Sequence, residues 1–568
     1  MKKNLILFFL LTFQISISGA QTPGFEWVHT FGGSQGDNGQ TITTDSQNNI
    51  CLTGYFSGTV DFDPGTGVSN LFSGGSTNIF VQKISPSGDL IWAKALPAGS
   101  TTITSIAVDP SDNIVIGGRY TGTIVFPTVD STATISSGQP DAFIVKMNSA
   151  GQYLWAKSFG NPNDNEIDPD RINDLKTDAA GNIYSTGHFF GTVDFDPGPG
   201  ISNVNSSGPN MDIFILKLNP DGNFVWVKRF GASGYDEGVS LTIHQNTLLL
   251  TGWFQNNVDF NPSPVVTNML TTNGYSDMFL TSLTTDGNFN YVKQFGSAFT
   301  DKGVAVITDP DGAVYLTGIF DAAIDLDPGT GTNNVTPANG TDFFVVKLAE
   351  SGDFTWGKTF AGTYYKYTQG LVYHSDNGVM VTGVFSDTVD FNPGSGTGIH
   401  TGQDKIFLLY LDHNGNYVWS GSYGSINIMP NNMVTGIAAD NLGNVYSTGW
   451  FYETVDFDCG PGTAEKTSAG DADIFLLKIN AKLLSVNEQT PDDFKLYPNP
   501  SNGFITLSAE SLNDCRITIC NSLGMIVLEK DLSGSGTQLD IQNLSAGSYV
   551  VQLTGKFGSQ HQTFLKIN

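Results

Sequence analysis

Six copies of one short acidic motif carry the clearest chemistry in this sequence. They read Asp61-Phe-Asp63-Pro-Gly65, Asp194-Phe-Asp196-Pro-Gly198, Asp259-Phe-Asn261-Pro262, Asp325-Leu-Asp327-Pro-Gly329, Asp390-Phe-Asn392-Pro-Gly394 and Asp456-Phe-Asp458-Cys-Gly460. Side-chain oxygens two residues apart, ahead of a glycine-permitted turn, can serve as ligands for Ca2+. The same side chains can instead accept hydrogen bonds from the backbone of their own turn. Because the motif tracks a repeat so faithfully, the turn role is favoured, and Ca2+ is the one cofactor these residues would suit. A second acidic group, Asp164, Glu166, Asp168 and Asp170, has the alternate spacing of a calcium loop. It lacks the glycine that sharpens an EF-hand turn and reads as a solvated acidic loop.

Other chemistry is sparse, and no catalytic residue is expected. Gly32-Gly-Ser34-Gln-Gly36 matches Gly-x-Ser-x-Gly by letter, but it follows a strand and precedes no helix. The seven histidines are scattered without metal-ligand spacing, and no Cys/His pattern suggests zinc. His188, beside a mid-strand glycine, reads as a packing residue.

The elements that must position these residues are set by a sevenfold repeat. An aromatic position recurs as Trp27, Trp92, Trp155, Trp226, Tyr291, Trp356 and Trp419. A glycine recurs as Gly54, Gly118, Gly187, Gly252, Gly318, Gly383 and Gly449. A phenylalanine recurs as Phe80, Phe143, Phe214, Phe279, Phe344, Phe407 and Phe475. Each repeat resolves into four short strand-like runs with tight Gly/Asn turns, and none has sustained helical periodicity. Four antiparallel strands in seven copies predict an all-β, seven-bladed β-propeller over residues 21–482. The aromatic columns are expected between blades, and the glycines where blades converge. The first run belongs to an outer strand and the last to a third strand. Residues 25–31 are therefore expected to complete the blade built from roughly 433–480, removing an exposed sheet edge. The long variable loops share one face, and a site is expected there, near the central channel.

Bulk properties narrow the function further. Net charge is −28 with 14% charged residues, so nucleic acid is an improbable partner. The acidity belongs to the repeats. From Pro491 onward five Lys/Arg face seven Asp/Glu. Lys2 and Lys3, an apolar Leu5–Phe13 run and Ser18-Gly19-Ala20 read as a signal peptide over 1–20. That run is too short to span a membrane, and the mature chain is expected to have no transmembrane segment and to be a monomer.

Two resemblances add to this reading. Asp178–Phe189 and Asp440–Phe451 follow Asp-x-x-Gly-Asn-(Ile/Val)-Tyr-x-Thr-Gly-x-Phe, a pattern that resembles bacterial β-propeller repeat proteins. After a linker at 483–493 come Tyr497-Pro-Asn-Pro-Ser-Asn-Gly503, Asn521-Ser-Leu-Gly524 and Leu544-Ser-Ala-Gly-Ser-Tyr-Val-Val-Gln-Leu553. Periodicity alone makes residues 494–568 a small β-sandwich. The motifs resemble the type A sorting domain of type IX secretion. That resemblance implies partnership with the secretion machinery and placement outside a Gram-negative cell, either released or attached to surface lipopolysaccharide. The expected activity is non-catalytic binding of a glycan or protein. The alternative is a polysaccharide lyase or hydrolase working from the loop face.

Overall fold

The computed structural model describes residues 24–97, 100–161, 170–208, 210–338, 340–425, 432–480, 495–508, 515–521, 525–533, 536–555 and 558–567. The expected signal peptide, the linker and Asp164, Glu166 and Asp168 lie outside them. The described residues are all β, and the chain divides into two units, Met1–Lys482 and Leu483–Asn568.

Within the first unit, the described residues form seven antiparallel sheets that each contain four strands of the repeat. The third is typical. Arg171–Thr177, Ile183–Phe189, Asp212–Leu218 and Phe224–Phe230 pair in chain order. Two of these strands are buried along their whole length, as β-branched and aromatic residues flanked by sheets on both sides should be. The first strands of successive sheets touch one another in order, and that of the seventh also touches that of the first. Gly24–Phe31 pairs antiparallel with Asp473–Asn480 and supplies the fourth strand beside Met433–Ala439 and Asn444–Phe451.

Three columns of the repeat acquire physical reasons. The recurring phenylalanines are fully buried. The outer-strand Trp ring reaches the tight turn of the following sheet, where the Nε1–H groups of Trp92, Trp155 and Trp356 donate to the carbonyls of Ser149, Pro220 and His413 at 3.1, 3.3 and 3.0 Å. The glycines differ from expectation. A Cβ on Gly187 or Gly252 would run into the backbone carbonyl of Arg171 or Glu237 on the first strand of the same sheet. The close approach is within a blade-like sheet, not between sheets, and its cause is a β-bulge. Every first strand skips one residue just there, at Gln40, Thr104, Asn173, Val239, Val304, Gln369 and Thr435. The threonine before the glycine locks the next strand. Thr186, Thr251 and Thr448 Oγ1 donate to the carbonyls of Phe214, Phe279 and Phe475 at 2.8, 2.7 and 2.8 Å.

The second unit pairs Lys495–Tyr497, Phe504–Ser508 and Gly536–Asp540 in one sheet and four strands between Cys515 and Lys566 in another. Ile505, Leu507, Leu539, Ile517, Val551 and Phe564 from both sheets share one core, as in a sandwich.

Candidate functional site

Each acidic motif sits on a short hairpin that follows the second strand. Its central residue is the anchor. Phe62, Phe195, Phe260, Leu326, Phe391 and Phe457 are fully buried, and Phe195 packs 5.1 Å from Phe214. The flanking acids organise the turn. Asp194 Oδ1 accepts from Asp196 N at 3.1 Å and Ser202 N at 2.8 Å, while Asp196 Oδ1 accepts from Gly198 N at 2.8 Å. The pattern repeats at Asp61 and Asp63, Asp259 and Asn261, Asp325 and Asp327, Asp390 and Asn392, and Asp456 and Asp458. The second repeat has no such acids, yet its Phe126 is still buried, 5.2 Å from Tyr153. The six pairs belong to six different repeats. Among the described residues no group of three or more His, Cys, Asp or Glu side chains assembles that could hold a metal ion. Asp170, the described member of the other acidic group, is buried and accepts from Asn161 N and Phe190 N, both at 2.9 Å.

All seven first strands line a cavity of about 680 Å3, with Thr43, Thr104, Asp174, Ser240, Val306, Val372 and Thr435 on its wall. Bulge side chains lace the wall together. Asn173 Nδ2 donates to Gly238 O and Thr435 Oγ1 to Gly39 O, each at 2.8 Å. Asp174 Oδ1 accepts from Ser105 Oγ at 2.9 Å and Lys176 Nζ at 2.7 Å, and its Oδ2 accepts from Leu241 N at 2.9 Å.

At the loop end of these strands the repeat breaks its own symmetry. Register pairs there are Asn38 with Tyr55, Thr102 with Arg119, Arg171 with His188, Glu237 with Trp253, Lys302 with Ile319, Tyr367 with Val384 and Met433 with Trp450. On the third to fifth sheets they form one polar cluster around Glu237. Its Oε1 accepts from Arg171 Nη2 at 2.7 Å and Asn173 Nδ2 at 2.9 Å, and lies 3.4 Å from His188 Nδ1. Its Oε2 accepts from Trp253 Nε1 at 3.0 Å, and Lys302 Nζ stands 4.6 Å from the centre of the Trp253 ring. Burial alone would raise the Glu237 carboxyl. The neighbouring His188 ring and the Arg171 guanidinium outweigh it and hold the group well below the usual carboxylate range. His188 is therefore a member of a polar cluster as well as a packed ring. Arg171, Glu237, Trp253 and Lys302 were not singled out from the sequence. Their signal is a pair of columns: the one beside the mid-strand glycine repeats only a Trp, as Trp253 and Trp450, and the one paired with it on the first strand differs in all seven repeats.

Residues 495–567 match the secretion system C-terminal sorting domain. The chain is 24% identical over 509 residues to an uncharacterized WD repeat-containing protein of Acanthamoeba polyphaga mimivirus, covering 75% of this chain and 36% of that protein. It is 30% identical over 91 residues to an ulvan lyase of Nonlabens ulvanivorans, covering 16% of this chain and 17% of that protein. The chain thus spans well under half the length of these curated relatives. Among solved structures, it overlaps PorZ, a surface component of the type-IX secretion system of Porphyromonas gingivalis, at 11% identity and a TM-score of 0.24, covering 95% of this chain and all of that one. A Dyadobacter fermentans protein of unknown function overlaps 80% of this chain and 98% of its own, with 9% identity and a TM-score of 0.34. Residues 495–567 thus pair a sheet-on-sheet core with the family match, and the chain carries a C-terminal sorting domain of the kind that directs export by type IX secretion.

Proposed function

We propose that this chain is a non-catalytic glycan- or protein-binding protein that works at the outer surface of a Gram-negative cell or free of it. In this reading residues 21–482 form a closed seven-bladed propeller, and residues 494–568 are a sorting domain engaged by the type IX machinery. Closure is supported by the cyclic contacts of the first strands and the pairing of Gly24–Phe31 with Asp473–Asn480. It is also supported by Trp27, which stands against Gly88 of the first sheet just as Trp92 stands against Gly151 of the second. The observation that carries the binding role is the asymmetric cluster around Glu237 on an otherwise repeating scaffold. Binding residues concentrate where rigid repeats present variable side chains.

One observation favours the enzyme alternative. Burial pushes the Asp236 carboxyl up to about 7 beside an ionised Glu237, and such divergence can mark an acid and a base. Against it, Asp236 is fully buried with both oxygens on backbone N–H groups of Ala232 and Gln255 at 3.0 and 2.9 Å. Asp37, Asp170 and Asp301 hold the same place in other sheets, so this acid belongs to the scaffold. The test is to incubate the purified chain with soluble polysaccharides and measure binding together with new reducing ends and unsaturated products. Binding without turnover is the expected result. Turnover abolished by Glu237→Gln would establish the enzyme instead. For export, deleting 494–568 should retain the protein inside the cell, and undiminished release would remove the sorting role.

A further inference from the structure

Exposed aromatic side chains are distributed unevenly over the first unit. Among its described residues the exposed Phe, Tyr and Trp side chains are Phe72, Tyr235, Tyr275, Phe299 and Tyr364. All five lie on connections at the loop face, and four of them stand over the joins between the third and sixth sheets. Tyr235, Phe299 and Tyr364 occupy equivalent loops, each entering the first strand of the next sheet, and are 38%, 60% and 54% exposed. Tyr275 is 77% exposed on the adjoining loop, where its N–H donates to Phe299 O at 3.0 Å. Tyr364 continues inward through Tyr365 and Tyr367, with ring centres 5.0 and 5.3 Å apart. The equivalent loop of the first sheet, Gly33-Ser-Gln-Gly36, has no ring at all. This arc sits over the sheets that also contribute Glu237, Trp253 and Lys302.

We infer that this arc is the binding platform for an uncharged polysaccharide chain, an assignment that rests on the binding role proposed above. Three features select that occupant. The exposed rings alternate along the chain with polar residues such as Ser233, Asn273, Thr300 and Thr363 in place of apolar ones. A ring flanked by hydroxyl and amide groups suits a sugar, whose C–H face packs on the ring while its hydroxyls meet polar side chains and water. The surrounding charge is negative. The chain carries a net −28, and the exposed Asp321 lies at this rim with its Oδ1 accepting from Thr341 Oγ1 at 2.6 Å. Carboxylates accept hydrogen bonds from sugar hydroxyls but repel uronates and sulfates. Placement of rings on successive loops suits an extended chain that crosses several sheets.

The experiment is affinity electrophoresis and fluorescence titration of the full chain. The uncharged probes are galactomannan, xyloglucan and hydroxyethylcellulose, and the anionic probes are alginate and dextran sulfate. At least one uncharged probe should retard the protein. The double variant Phe299→Ala/Tyr364→Ala should weaken that binding by roughly tenfold or more, as loss of central aromatic contacts does. Because both rings are exposed, its melting temperature should not change, and Phe299→Trp should retain binding. Leu442→Ala, on a tight turn remote from these loops in sequence, should have no effect. Retardation that survives the double variant overturns the arc. So does binding of anionic probes alone, or saturable binding of a protein in place of any glycan; each leaves the broader binding role standing. If none of the polysaccharides binds and no protein ligand is captured, both fail together.

Discussion

Asp196 shows how little freedom a repeated acid has here. Its Oδ1 is committed to Gly198 N, and its Oδ2 occupies the space a Cβ on Gly200 would need. Gly67, Gly331 and Gly462 stand in the same relation to Asp63, Asp327 and Asp458, so the motif is properly Asp-x-Asp-x-Gly-x-Gly in those repeats. Asn392 does the same work with a carboxamide. Asp196→Asn should therefore shift stability by less than about 0.5 kcal/mol, whereas Gly200→Ala should cost on the order of 1–2 kcal/mol, both read from thermal melts of the full chain. If the motif is only a turn cap, Ca2+ in excess should leave the melting temperature where a chelator leaves it. A ligand at a hundred times its Kd would add about 2.7 kcal/mol, so a clear rise would return these residues to metal binding. Gly252→Ala is the severe case. Its Cβ meets the Glu237 carbonyl, part of the backbone itself, and a loss of about 3 kcal/mol or more is expected.

Buried acids, Asp37, Asp170, Asp236 and Asp301, close four of the loops that enter the sheets. Burial pushes Asp37 and Asp301 up to about 6 and Asp236 up to about 7. The folded chain holds these protons where an unfolded carboxyl with a pKa near 4 has released them. Their stabilisation is complete below about pH 4 and is lost as pH rises through about 6 to 7. Asp45 and Asp109 act oppositely. Burial would raise them, but Lys83 and Lys146, each 2.8 Å away, and neighbouring Asn49 and Asn113 hold them low, so their contribution disappears only in stronger acid. The melting temperature should peak in mild acid, near pH 4–5, and fall towards pH 8. Asp236→Asn should flatten that fall, since Asn432 already holds this place in the seventh sheet. In the sixth sheet the place belongs to Lys366, whose Nζ is 2.5 Å from Asp342 Oδ1 with both side chains buried. Lys366→Met alone should cost about 3–5 kcal/mol, and pairing it with Asp342→Leu should recover most of that loss. The strands, the turns and the outer completion of the last sheet were legible in the sequence because period-2 runs and turn residues report local geometry directly. The bulges were not, because an inserted residue looks like any other strand residue. The cluster around Glu237 was hidden for a different reason. Arg171, Glu237 and Lys302 are far apart in sequence and share no motif, and only the packing of three sheets joins them.

At the scale of the whole chain there are two compact units, and in the proposed reading the first binds while the second directs export. Phe31 is buried and stacks 5.8 Å from Phe62, so Phe31→Ala should cost about 3–5 kcal/mol, as if it lay in the middle of the chain and not near one end. Removing Gly24–Phe31 altogether should abolish a single cooperative melt, because it strips the outer strand from Asp473–Asn480 and uncovers a sheet edge. That pairing also sets a clock. Within the first unit, the strand made earliest finds its partner last, after nearly all the rest of that unit has followed it. Until then an unpaired strand waits at each end of that unit, ready to pair with a neighbouring molecule. A chaperone or a fast export step that shields those edges would matter more for the yield of this protein than for its final stability.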